Sequence, residues 1–361
     1  MDALGYQTIK RLSLAGGLWF CAPVEEDKVG VRFEGYLVPP FLLPEAYTIT
    51  VNGVESLLTF DSTYSTLRFK DIFDRFDCRD NKIRQLTFSF YVGSPSVFPK
   101  HDTIVIAPKG LQSESLLPFY FAKSIDLPAP EIAGMIRTTK IRDIDTFNYT
   151  GINDFNRIRS IVERYSSTTS SNLSILDWGC GCGRVSRFFE NAFGACSVYG
   201  VDIDPVNIKW NQQHLDKNRY KLISFEPALP FNDNHFDVIY GISVMTHLGS
   251  ENQASWLKEL HRALKPGGTL ILTYHGLAMF FAHVNDGTIL DKFLGDGFWD
   301  QGRNLDLDEG YPEMKKLELY RNSFNTLDNI ANQCSDLFTF LKFLPGAHLA
   351  QHDYVVLKKI R

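Results

Sequence analysis

Three glycines at alternate positions, Gly179, Gly181 and Gly183, follow an apolar run that ends in Asp177 and Trp178. After them, Val185, Phe188, Phe189, Ala192 and Phe193 fall on one helical face. A turn lacking Cβ atoms at three places lets a ligand approach the backbone, and the helix that follows presents its positive N-terminal end. Asp177 stands where the strand ends; an acid there suits a ligand with an ammonium group and repels a pyrophosphate. A second apolar strand, Tyr199-Gly-Val-Asp-Ile-Asp, carries Asp202 and Ile203 at its end, and Asp204 with Pro205 reads as the cap and first turn of another helix. Asp202 lies about twenty residues past the glycines, the spacing that places a carboxylate within reach of both ribose hydroxyls of an adenosine at the neighbouring strand of a doubly wound sheet. Glycines and acids together describe a site for an adenosine with a charged amino-acid tail. A nicotinamide-dependent oxidoreductase shares the turn and the ribose acid, but its pyrophosphate conflicts with Asp177.

The elements that must position these groups follow from periodicity. Phe155, Ile158, Ile161, Val162 and Tyr165 predict a helix over Gly151–Tyr165 beside the first sheet strand, followed by a Ser/Thr loop at 166–171. Lys221–Phe225 and Phe236–Tyr240 read as the third and fourth strands, and Gly241 opens the segment that leaves the fourth. Ser250-Glu-Asn-Gln matches a capping box for a helix striped by Trp256, Leu257, Leu260 and Leu264. Lys265-Pro-Gly-Gly then turns the chain into a fifth strand, Thr269–Thr273, and Leu337–Leu344 and Tyr354–Leu357 read as the last two, with Gln351-His-Asp between them. Residues 276–320 interrupt the alternation with Phe280, Phe281, Phe293, Phe298, Trp299 and Tyr311, which fits either a cap over a substrate or an insertion with its own small core.

Residues 1–125 read differently. Leu18–Ala22, Val29–Val38, Tyr47–Val51, Ile83–Val92 and Thr103–Ile106 are short and rich in β-branched and aromatic residues, and Asn52-Gly53 is a two-residue hairpin signal. Strands so spaced without helical patterning predict a β-sandwich-like accessory domain, for packing, for homo-oligomer formation or for recognition of a glycan or partner. The prolines 108, 118, 128 and 130 make 108–150 a connection. The chain thus divides at 1–125 and 126–361.

With these elements placed, residues 175–189, 199–210, 229–249 and 263–275 resemble, in order, the successive motifs of class I S-adenosylmethionine-dependent methyltransferases. The resemblance covers about residues 130–361, and its Val244-Met-Thr-His-Leu version is similar to bacterial members of polysaccharide and natural-product pathways. It implies an α/β fold, a doubly wound, Rossmann-like seven-stranded sheet with a reversed terminal hairpin, and S-adenosyl-L-methionine as cofactor. The cofactor-binding set it implies is Asp177, Trp178, Gly179, Cys180, Gly181, Gly183, Asp202, Ile203 and Gly241, with Tyr149 added because Phe147-Asn-Tyr-Thr-Gly lies over the cofactor in the family. An acid or amide for the adenine amino group is expected near the third strand; that position falls on Phe225, so Glu226 takes the role. The acceptor it implies is first a hydroxyl of a sugar or glycoconjugate, then a small natural-product or lipid-linked molecule. A noncatalytic scaffold is the remaining alternative.

Methyl transfer to a hydroxyl benefits from a base as well as from alignment and exclusion of water. His247, a short distance past the fourth strand, is the leading candidate, His275 the second, and His352 lies near the same edge. Net charge is −5, with 13 Lys and Arg against 14 Asp and Glu in residues 1–125 and 24 against 28 in the remainder, so neither part has the basic footprint of a nucleic-acid binder. Six scattered cysteines form no disulfide framework; Cys180-Gly-Cys182 fits the small side chains of a crowded turn better than a metal site. Lys10 and Arg11 before the apolar run Leu12–Ala22 imitate a secretory signal, but Gly16, Gly17 and Pro23 favour a strand. No run reaches the roughly twenty apolar residues that span a membrane. A cytoplasmic enzyme is the expectation.

Overall fold

The computed structural model describes residues 18–27, 30–38, 47–57, 59–61, 86–108, 118–123, 127–139, 141–166, 172–192, 196–284, 286–303, 320–348 and 352–360. The expectations for Leu12–Gly17, Val29, Ile83–Gln85, the tract 167–171, Phe193 and Tyr311 lie outside them.

The N-terminal part holds two four-stranded antiparallel sheets. One has the order β1 (Leu18–Glu26), β2 (Val31–Val38), β6 (Leu86–Val92), β5 (Thr59–Asp61). The other has the order β4 (Val54–Ser56), β3 (Tyr47–Val51), β7 (Asp102–Pro108), β8 (Phe119–Phe121). Phe33, Phe88 and Phe90 from the first sheet and Ile49, Ile104, Ile106 and Phe121 from the second share one apolar core. Asn52 and Gly53 take φ of 54° and 78° between paired Val51 and Val54, the left-handed pair that the hairpin requires.

The connection is shorter than its prolines suggest. Residues 119–121 form a strand, Ile132–Thr139 form α1, and α2 runs over Ile144–Tyr165, capped by Asp143, whose carboxylate accepts the Thr146 N–H at 2.7 Å. The helix starts at Ile144, seven residues before the predicted Gly151; its first turns bury Phe147, Tyr149 and Thr150, and further on Asn153 accepts the Tyr120 N–H and Arg157 donates to the Pro118 carbonyl. Phe98 and Ala122 of the N-terminal part join Phe155, Phe188 and Ile158 in one buried cluster. The two parts therefore share a buried apolar cluster.

The second part is a seven-stranded sheet of order β11 (Tyr220–Leu222), β10 (Ser197–Asp202), β9 (Ser174–Trp178), β12 (Phe236–Gly241), β13 (Leu264–Tyr274), β17 (His352–Lys359), β16 (Phe338–His348). The first five are mutually parallel, β17 runs antiparallel to β13, and β16 antiparallel to β17. This is the sheet with the reversed terminal hairpin. Alternation sorts its faces: Leu176, Ile239, Leu270, Leu272, Val355 and Leu357 pack against Trp256, Leu257 and Leu260 of α5 (Ser250–Ala263). Ile175, Val238, Tyr240, Ile271 and Val356 pack against α2 and against α3 (Ser186–Ala192) on the other side. From β9 the chain crosses to β10 on one side and later returns to β12 on the other, so a crevice opens at the carboxyl ends of these strands.

Three local expectations change. The final strands extend further than predicted, which draws His352 and Asp353 into β17. Gly267, at φ 74°, lies within β13, where the pairing with β12 shifts register. Gln253 does not close a capping box; its buried amide donates to the carbonyls of Met245 and Leu248 at 2.8 and 3.3 Å and holds the 3₁₀ turn Met245–His247.

The described portion of the insertion carries α6 (Leu277–His283), α7 (Gly287–Asp296), β14 (Phe298–Arg303) and β15 (Arg321–Asn325), gathered on Phe280, Val284, Phe293 and Phe324. Its own core is thus real, and its β15 edge also leans on the 3₁₀ turn through the bond of Ser323 Oγ to the Met245 carbonyl at 3.1 Å.

Candidate functional site

At the crevice lies a cleft with about 860 Å³ of atom-free space, counting its open mouth. Its wall includes Trp178, Gly179 and Gly181 from the first strand and turn, and Asp202, Ile203 and Asp204 from the second. Ser243, Val244 and His247 come from beyond the fourth strand, and Tyr320 from the insertion. Six of the residues singled out in the sequence therefore meet there: Trp178, Gly179, Gly181, Asp202, Ile203 and His247.

The glycine turn is compressed for a reason. Gly179 and Gly181 take φ of 77° and 52°, and a Cβ would lie 2.3 Å from Val244 Cγ2 at the first and 2.6 Å from Thr138 Cγ2 at the second. Any side chain here would fill the cleft from below. The turn is tied down by Gly179 and Cys180 N–H groups donating to the Val201 carbonyl at 2.8 and 3.0 Å. Asp202 completes it: one carboxylate oxygen accepts the Gly181 N–H at 2.7 Å and the other the Asp204 N–H at 2.8 Å. Each oxygen keeps further acceptor capacity, and burial pushes the carboxyl up to about 6.

Trp178 is backed by Gly241, where a Cβ would come within 2.7 Å of the indole, and by the tilted ring of Trp256 at 5.0 Å. Gly241 thus acts beneath the wall and does not line it. Ile203, Ile223 and Phe225 form an apolar side, with the Phe225 carbonyl accepting from Trp256 Nε1 at 3.3 Å. Glu226 is exposed and absent from the lining, because successive side chains point opposite ways and Phe225 takes the inward place.

Other expectations are redirected. Asp177 is buried on the α2 and α3 face of β9, beside the Tyr240 and Ser186 hydroxyls, and burial raises it to about 7; it lies behind the turn, outside the cleft wall. Cys180 packs with Ile208 and Tyr220, and Gly183 abuts Leu215 and Asn211 of the helix α4 (Pro205–His214) region. Tyr149 is buried in the core of the N-terminal sheets near Phe119, away from the cleft, because α2 turns that face toward β8. His275 is buried at the end of β13, 4.6 Å from the His352 ring and bridged to Phe324, and burial lowers it to about 3. The insertion packs over it, so it does not reach the cleft. Among the described residues no group of three or more His, Cys, Asp and Glu is arranged to hold a metal ion.

His247 lines the same cleft. Its Nδ1 lies 3.1 Å from the Arg321 carbonyl, its Nε2 3.5 Å from Ser243 Oγ, and its ring stacks on Tyr320 at 4.2 Å and 17°. Two groups escaped sequence reasoning. Arg137 and Thr138 of α1 line the wall, with Arg137 forked onto both Asp204 oxygens at 2.8 Å; reading 108–150 as a connection hid them. Tyr320 arrives from an insertion with no periodicity to announce it.

Residues 176–272 match a family profile described as "Methyltransferase domain". Similar curated proteins include 2-methyl-6-phytyl-1,4-hydroquinone methyltransferase of Synechocystis, 32% identical over 29% of this chain and 33% of that protein. Phosphoethanolamine N-methyltransferase of Plasmodium falciparum is 28% identical over 29% and 40%. Tocopherol O-methyltransferase of Arabidopsis thaliana is 32% identical over 27% and 29%. The chain therefore spans less than half the length of each of these relatives. Among solved structures, a 1,6-didemethyltoxoflavin-N1-methyltransferase of Burkholderia thailandensis aligns with 67% of this chain and 96% of its own at 15% identity and a TM-score of 0.40. The cofactor of the matched domain is S-adenosyl-L-methionine. The cleft fits it: two backbone positions where a Cβ would intrude, a carboxylate with acceptor capacity on both oxygens, and an apolar side beside it.

Proposed function

We propose that this chain transfers a methyl group from S-adenosyl-L-methionine to a hydroxyl of an uncharged acceptor. The observation that carries the reading is a single cleft lined by Asp202, by His247 and by the glycine turn at Gly179 and Gly181. When bound, the cofactor supplies an electrophilic methyl group on a sulfonium. Asp202 would accept the ribose hydroxyls, Ile203, Ile223 and Phe225 would flank the adenine, and the glycine turn would admit the amino-acid end. Ser243 and His247 face the place where the acceptor must stand. His247 takes the hydroxyl proton at Nε2, while its Nδ1–H donates to the Arg321 carbonyl; a carbonyl can only accept, which leaves Nε2 as the basic nitrogen.

A sugar or glycoconjugate hydroxyl is the first acceptor to test, on the similarity of Val244-Met-Thr-His-Leu to polysaccharide-pathway enzymes, with natural-product and lipid-linked hydroxyls next. Arg137 is matched by Asp204, which supports an uncharged acceptor over a phosphorylated one. Within this reading residues 126–361 are the methyltransferase domain of a cytoplasmic enzyme, and residues 1–125 are a β-sandwich-like accessory domain. The test is calorimetric binding of S-adenosylmethionine against NAD, followed by S-adenosylhomocysteine formation over a panel of sugar, phenolic and amine acceptors. Binding of NAD alone, or product only with amines, rejects it.

A further inference from the structure

Tyr320, the last residue of the insertion, lines the cleft, and Arg321 follows it directly. The Arg321 carbonyl and the Tyr320 ring reach His247 from the same strand end, one in line with Nδ1 at 3.1 Å and the other parallel to the ring at 4.2 Å. β15 is anchored independently of His247: Phe298 pairs with Asn325, Ser323 Oγ donates to the Met245 carbonyl, and Asn325 N–H donates to the His275 carbonyl at 2.9 Å. The 3₁₀ turn is in turn held by Gln253. Both sides of the contact are therefore set by groups other than the imidazole.

We propose that Tyr320 and the Arg321 carbonyl make the insertion a working part of the site, by holding His247 as the Nδ1–H tautomer and stabilising its protonated form. Tyr320 and Arg321 are positioning residues here, and the inference rests on His247 as the base. A π face over an imidazolium attracts it, on the order of 0.4–0.7 pH units of added basicity for an exposed pair. Among the described residues, the titratable groups near the pair include His275, His352, Arg321 and Asp202, the last acting on Tyr320. His275 and His352 are buried and held neutral, and the Arg321 guanidinium is turned to Asp300 at 3.7 Å. Tyr320 itself is pushed up by burial and by the Asp202 charge, so it stays a neutral ring throughout.

The full-length protein labelled with ¹⁵N-histidine tests this without any acceptor. His247→Gln assigns the resonances. In the wild type the neutral ring of His247 should show Nδ1 protonated and Nε2 unprotonated. Tyr320→Leu should lower its titration midpoint by about half a pH unit and mix the tautomers, while Tyr320→Phe, which keeps the π face, should leave the midpoint within about 0.2 units of wild type. A wild-type Nε2–H tautomer overturns the proposal even if Tyr320→Leu fails to fold, and an unmoved midpoint in a folded Tyr320→Leu overturns it as well. Failure of the base assignment would appear elsewhere, as an unchanged transfer rate in His247→Gln with the tautomer as stated.

Discussion

Replacing Asp202 separates binding from folding, and the structure says by how much. In the proposed complex the carboxylate would accept two ribose hydroxyls; at roughly 1.5–3 kcal/mol for each hydrogen bond to a charged acceptor, Asp202→Ala should weaken S-adenosylmethionine about a hundredfold to ten-thousandfold. The same change orphans the Gly181 and Asp204 N–H groups, now 2.7 and 2.8 Å from the carboxylate. The site is open enough for water to replace one oxygen, so a stability loss on the order of 1–2 kcal/mol is expected and the fold should survive. Asp202→Asn is the sharper variant: its amide oxygen serves one of those donors, but its NH₂ meets the other donor and can accept no hydroxyl. Wild-type affinity should also fall as pH drops through about 6, because the protonated carboxyl loses acceptor capacity that the hydroxyls need. Calorimetry at pH 7.5 and 5.5, beside thermal melts, reads both effects. A folded Asp202→Ala that binds within about threefold of wild type would refute the ribose assignment, since even one lost charged hydrogen bond exceeds that change.

The remaining predictions concern the base, the buried histidine and the joint between the two parts. His247→Gln should leave cofactor affinity nearly intact and slow single-turnover transfer by roughly a hundredfold or more; a rate within about threefold of wild type excludes the base role. His275 is neutral when folded, with its pKa lowered to about 3, so the unfolded chain binds the extra proton below about 6.5 and stability is lost as pH falls; from pH 7 to 5 that group costs about 2 kcal/mol. Denaturant curves at both pH values should show a smaller difference in His275→Phe, and an equal difference rejects the assignment. Phe98→Ala, which empties a buried place between Phe155 and Phe188, should cost about 3–5 kcal/mol, and the fragment 126–361 should aggregate because it bares the same face of α2; a soluble, cooperatively melting fragment would count against one shared core.

The sequence by itself determined the parts whose cause is local. Gly179, Gly181 and Asp202 are legible because a positive φ, a close approach and a strand-end acid each depend on residue type at one spacing. The sheet strands are legible because apolar periodicity records which face is buried. Tertiary structure decided the rest. Asp177 reads as a site acid, yet its place on β9 turns it toward α3; Glu226 and Phe225 exchange roles through one step of alternation. Tyr149 and His275 stand at chemically suggestive positions but are claimed by the packing of β8 and of the insertion. Arg137, Tyr320 and the Arg321 carbonyl enter the site from 67 residues or more away in the chain from the groups they meet, Asp204 and His247. No local pattern encodes such a meeting, because it depends on how separate elements pack; a backbone carbonyl, above all, carries no side-chain identity for a sequence to reveal.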